Sequence, residues 1–167
     1  MKKHWKILSI ALALLAAIAI IWRLPGQSAE SQQAELVPPQ LAWLPRVKLV
    51  SGPPAIQQIA MMHGKPLQLA EGYIAIYQSG DSEIMLWLSV SNNEEEALKL
   101  FQQMDEKMPA SQVFTGRQEL KIKGQQVIRV EGMGQEHYYW VQGKYNYWVA
   151  ANGVAGRQAV EELVEIK

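Results

Sequence analysis

Gly132-Met133-Gly134-Gln135-Glu136-His137-Tyr138-Tyr139-Trp140-Val141-Gln142-Gly143-Lys144-Tyr145-Asn146-Tyr147-Trp148-Val149-Ala150-Ala151 holds two of the chain's six tryptophans and four of its six tyrosines. Two aromatic runs flank Gln142-Gly143-Lys144, the pattern of a β-hairpin with a glycine at its turn. Side chains alternate along a strand, so Tyr138 and Trp140 share one face while His137, Tyr139 and Val141 share the other. On the returning strand Tyr145, Tyr147 and Val149 form one set, and Asn146, Trp148 and Ala150 the other. Neither set is wholly polar. The pattern predicts a strand pair covered by helix on one side and carrying amphipathic aromatics on the other, where tyrosine and tryptophan tolerate water through their polar ends. Such a face serves either cross-strand packing, which is the commoner use, or a ligand or partner surface.

Working outward, the same alternation recurs. Gly72 to Gln78 and Ile84 to Val90 alternate around Ser79-Gly80-Asp81-Ser82, a run of turn-forming residues. Arg117 to Lys123 and Gln126 to Glu131 read as a further hairpin around Gly124, and Gly132-Met133-Gly134 bends the chain into the aromatic hairpin. Arg46 to Val50 has the length of a short edge strand, with Leu41 to Leu44 docking ahead of it through Trp43 as a plug.

Three helices separate these strands. Ser51-Gly52-Pro53-Pro54 opens the first, because proline in the first turn leaves no donor unsatisfied. Gly64 caps it after His63. Ser91-Asn92-Asn93 offers caps for the second, Glu94, Glu95 and Glu96 fill its first turn, and Ala97, Leu100, Phe101, Met104 and Met108 form its apolar stripe. Ala155, Ala159, Val160, Leu163 and Val164 mark a closing helix. Sequential hairpins make the sheet antiparallel, and the helix stripes need it as a partner. The expected fold is α+β: a single antiparallel sheet with helices packed on one face, preceded by one N-terminal transmembrane helix.

That transmembrane expectation rests on Ile7 to Ile21, apolar throughout apart from Ser9. A helix from Trp5 to Trp22 would reach roughly 27 Å, close to the thickness of a bilayer core. Tryptophans at both ends suit the interface. Lys2, Lys3 and Lys6 precede the run and only Arg23 follows closely, which places the amino terminus in the cytoplasm and the rest across the membrane. The rival is a cleaved signal peptide ending at Gly26-Gln27-Ser28. A retained anchor is favoured, because Trp22, Arg23 and Leu24 separate the run from that site and Pro25 stiffens the chain. The expected organisation is an anchor over residues 1–24, a linker rich in Gln, Ser, Ala and Pro over 25–45, and an extracytoplasmic domain over 46–167. The location is a cytoplasmic (inner) membrane, single-pass, with a periplasmic-side domain.

Composition narrows the function. Sixteen basic residues balance sixteen acidic ones, so there is no general electrostatic attraction to nucleic acid. With no cysteine, disulfides, thiolate catalysis, cysteine zinc sites and iron–sulfur clusters are excluded. Gly132-Met133-Gly134 lacks the third glycine and the helix of a dinucleotide loop, and there is no phosphate loop or serine elbow. No motif calls for a cofactor or marks a catalytic centre.

Candidate binding residues are therefore chosen on local chemistry. The polar set Gln135, Glu136 and His137 beside a glycine bend comes first, with Tyr139 and Trp148 next to it; His63 and Lys65, around Gly64, come second. The leading expectation is a membrane-anchored binding or interaction domain whose partner is a membrane-complex or envelope protein. The alternative is a metal- or haem-binding envelope protein that uses His63 and His137, with Glu131, Glu136 or Asp81, or with Met61, Met62 or Met133, completing the ligand set. No histidine pair has ligand spacing, which favours structural roles for both.

Overall fold

The computed structural model describes residues 35–166. The expected anchor over residues 5–22 lies outside them. Among the described residues no helix is long and apolar enough to cross a membrane.

From Val37 onward the described residues build eight strands and three α-helices. A short β1 (Gln40–Leu41) turns into β2 (Leu44–Ser51), which leads through α1 (Pro53–His63) to the hairpin β3 (Glu71–Ser79) and β4 (Ser82–Val90). Then α2 (Glu94–Asp105) and a single 3₁₀ turn (Met108–Ala110) carry the chain to a four-strand meander. Its strands are β5 (Phe114–Ile122), β6 (Gln125–Gly132), β7 (Gln135–Gln142) and β8 (Tyr145–Ala151), and α3 (Val154–Leu163) closes the fold. All strands join one antiparallel sheet in the order β1-β2-β3-β4-β8-β7-β6-β5. The α+β class and the single antiparallel sheet are as the sequence pattern indicates.

Five two-residue hairpin loops set the register. In β6–β7 the loop is Met133-Gly134, both at positive φ (54° and 78°). This is the doubly left-handed turn whose twist matches that of paired strands. The β7–β8 loop is Gly143-Lys144, with Gln142 paired to Tyr145. Helix ends follow the residues expected to make them. Gly64 takes the left-handed conformation at the carboxyl end of α1, and its N–H reaches the Met61 carbonyl at 3.1 Å. The Asn93 side chain accepts the Glu96 N–H at 2.8 Å at the start of α2.

One correction concerns packing. The helices do not share one face. Asn146 reaches the Ala97 carbonyl of α2, and Phe101 of α2 packs on Tyr139. Tyr138, one residue from Tyr139 and hence on the opposite face, packs instead on Gly156 of α3. So α1 and α2 cover one side of the sheet and α3 the other. Consequently the aromatic hairpin has no wet face: Tyr138, Tyr139, Trp140 and Tyr147 are all buried. Tyr139 stacks on its register partner Trp148 (centroids 4.9 Å apart, 8° between planes) on the α2 side. Trp140 stacks on its partner Tyr147 (4.6 Å, 5°) on the α3 side. A strand whose two faces are both apolar is the signature of a sheet covered twice.

The compact unit begins at Val37, and Val37, Leu41, Ala42 and Leu44 are buried while Trp43, the expected plug, is half exposed. Residues 37–45 thus contribute core positions to the folded body.

Candidate functional site

Glu136 and His137 are neighbours in sequence, and strand alternation sends them to opposite faces of the sheet. On the α2 side the His137 ring is buried, 4% exposed. Its Nε2 lies 3.0 Å from the Gly132 carbonyl, and its Nδ1 accepts the indole N–H of Trp148 at 3.0 Å. Phe114 meets both rings edge-on, at 4.9 Å and 5.3 Å between centroids. These partners define a neutral ring protonated on Nε2. Burial holds its pKa below the usual imidazole value, partly offset by the bond to Gly132. Both ring nitrogens are spent within the fold, which is the arrangement of a packing histidine rather than a ligand.

Next to this cluster, Asp105 at the end of α2 accepts the Tyr139 hydroxyl at 2.7 Å. Arg117 clamps the same carboxylate with two bonds, at 2.9 and 2.8 Å. The Arg117 bonds are the chief reason its pKa lies below the usual carboxylate range; burial opposes them. Tyr139 is thus a core residue tied to α2, and Trp148 is its stacking partner.

On the α3 side, Glu136 belongs to a second network. Arg129 bonds both Glu136 and Glu131 (to Glu131 at 2.9 Å), and the Tyr138 hydroxyl donates to Glu136 at 2.9 Å. Burial alone would raise the Glu136 pKa, but the Arg129 and Tyr138 bonds outweigh it and hold the carboxylate below its usual value. With Gln135, Thr115 and Asn152 these residues line an open polar cleft of about 400 Å³. Arg129 pairs with both carboxylates, which leaves the cleft one net negative charge.

The remaining candidates lie elsewhere. Helix α1 rests on β2 and β3, whereas α2 rests on β7 and β8. Between them a seam runs over the central pair β4–β8. Its floor is Ser89 and Asn146, direct register partners, with Trp87 beside them; its walls are Ile59, Met62 and His63 of α1 and Leu100 and Met104 of α2. The crevice is narrow, about 30 Å³. Past Leu100 it adjoins an open cleft of about 400 Å³ lined by Lys65, Leu67, Leu69, Lys99 and Gln103. His63 stands at the crevice with its pKa lowered by burial and then by Lys65 and Lys107. No cleft described here is lined by both His63 and His137.

Asn146 is the residue that sequence reading did not single out. It is 8% exposed, and its amide N–H₂ donates to the Ala97 carbonyl at 3.0 Å. That bond fixes the orientation of the amide and leaves Oδ1 buried without a partner. The signal in the sequence is faint: one asparagine between Tyr145 and Tyr147, on the strand face it shares with Trp148. Among the described residues no group of three or more histidine, aspartate or glutamate side chains is placed to hold a metal ion. Comparison with protein-family models, with characterised proteins and with solved structures returns no match, so the site is read from its own geometry.

Proposed function

We propose that this chain is a membrane-tethered, extracytoplasmic binding module, and that its partner lays an apolar, acid-flanked segment along the seam between α1 and α2. The observation that carries the proposal is the seam itself. It is an apolar channel, edged by the exposed Met62 and ending on a buried carbonyl, Asn146 Oδ1, that lacks a hydrogen bond. An unpaired buried acceptor costs about 1–3 kcal/mol, and a donor carried in by a ligand would remove that cost. Methionine walls adapt to varied apolar side chains. His63 lines the crevice, and Lys65 and Lys99 outnumber Glu96 in the cleft that continues it past Leu100, which favours an acidic residue beside the apolar anchor. The tether is supported by the apolar run Ile7–Ile21 and its lysine-rich leader.

Photo-crosslinking in cells tests this. A benzophenone side chain placed at Met62 in the full chain is expected to capture an envelope protein, and the adduct should weaken severalfold when Lys65 and Lys99 are both changed to Glu. A benzophenone at Val154, exposed on the α3 side, serves as the control. Equal capture at both positions, or none at Met62, overturns the proposal.

A further inference from the structure

The turn between β1 and β2 is built from the wrong residues for its geometry. Leu41 pairs with Leu44, leaving Ala42 and Trp43 as a two-residue loop with φ of 45° and 60°. Glycine, asparagine and aspartate dominate such turns because an L side chain is crowded there. The fold enforces the conformation from outside. The Ala42 N–H donates to Glu162 Oε2 of α3 at 2.9 Å, and Gln158 holds the other oxygen of that carboxylate at 3.0 Å. Ala42 is buried, yet Trp43, at the tip, is 49% exposed. A strained turn that holds a large indole half in water gains little for the core, and strain of this kind collects at functional positions.

The surroundings indicate what the indole meets. Val47, at the bulge between Arg46 and Lys48, is also exposed. From Val37 to Ser51 the chain carries Arg46 and Lys48 and no acidic residue. The Arg46 N–H donates to the Pro39 carbonyl at 2.8 Å, and its guanidinium bonds the Val37 carbonyl. This hairpin is therefore fastened to the point where the tether enters the folded body. Covalent geometry caps the distance from Trp22 to Val37 at about 50 Å. An indole, an exposed valine and two cations that make no ion pair among the described residues form a surface suited to the headgroup region of a bilayer.

Resting on the tethered reading given above, we infer that the Trp43 turn docks on the membrane that holds the anchor, and so orients the domain on it. The test uses the full chain, which has no cysteine of its own. Single variants Trp43→Cys and Leu98→Cys, the latter on α2 across the sheet, carry an environment-sensitive fluorophore and are reconstituted into phosphatidylcholine–phosphatidylglycerol vesicles containing spin-labelled lipid. The probe at 43 should be quenched by the lipid at least threefold more than the probe at 98. With the indole retained, the lipid-quenched share of tryptophan emission should be larger than in a Trp43→Ser chain. If the chain floats with vesicles but both probes are quenched equally, or iodide in water quenches 43 as strongly as 98, the turn faces water or a protein partner. The docking inference is then overturned while the tether stands. A chain that does not float with vesicles overturns both.

Discussion

The indole N–H of Trp148 donates to Nδ1 of His137 across the β7–β8 pair at 3.0 Å, and the opposite nitrogen of that ring meets the Gly132 carbonyl at 3.0 Å. One imidazole thus joins the closing strand to the end of β6, and it does so only when neutral. Protonating Nδ1 would set N–H against N–H.

The sign of the pH effect follows. The folded-state pKa of His137 lies below the ordinary value of 6.5, through burial. The unfolded chain therefore takes up a proton first, and stability should be full above about pH 6.5 and decline as pH falls from there toward the lowered native value. His63 is shifted in the same direction and adds to the slope. Urea unfolding between pH 5 and 7.5 should show a shallower decline in His137→Gln than in the parent chain. Identical slopes would show that the ring is not neutral in the folded state.

Gly132 leaves no room for a side chain. A Cβ there would collide with Phe114 Cδ1 and lie 2.8 Å from the Val113 carbonyl. Gly132→Ala should destabilise by about 2–3 kcal/mol, as overpacking does, and it should disturb the His137 bond to the same residue. Chemical denaturation gives the first value, and the loss of a protected indole N–H signal from Trp148 reports the second.

Met133 offers the opposite change. It occupies a left-handed position, φ 54°, and is 78% exposed. Met133→Asn creates the Asn-Gly pair favoured in this turn and sacrifices no buried area, so stability should rise by about 1 kcal/mol. A lower melting temperature would mean that the methionine has a folding role unseen in its exposure.

Asp105 carries two bonds from Arg117 and one from the Tyr139 hydroxyl. Tyr139→Phe should cost about 1 kcal/mol, and Asp105→Ala about 3 kcal/mol, because the latter strands both the phenol and the guanidinium. The Asp105 and Arg117 substitutions should be strongly non-additive in a double-mutant cycle. Since the Asp105 pKa is lowered, chiefly by Arg117, its share of stability is present above the unfolded carboxylate value and is lost as pH falls below it.

The local elements were legible in the sequence because their causes are local. Gly64 after His63, Asn93 ahead of three glutamates, and Gly80, Gly124 and Gly134 at hairpin loops each act within a few residues. The sheet order was not legible. The pairing of β4 with β8, which sets Trp87 against Trp148, joins segments about sixty residues apart and leaves no trace in either one alone. The placement of α3 had a sign that could have been read. Both faces of Tyr138–Val149 are apolar, and the closing helix offers Ala155, Gly156 and Ala159, small enough for close contact with Tyr138. For the candidate site, Glu136 and His137 looked like one patch only while alternation was set aside. Asn146 needed the structure, since an unpaired amide oxygen is a property of its surroundings rather than of its residue type.

The most direct test of the whole reading is which side of the membrane each end occupies. In intact cells stripped of their outer envelope, a membrane-impermeant maleimide should label Val154→Cys and spare Lys2→Cys until the membrane is opened, with both variants pelleting in the membrane fraction. Labelling of both before opening, or recovery of the chain in the soluble fraction, would contradict a tethered, outward-facing binding module.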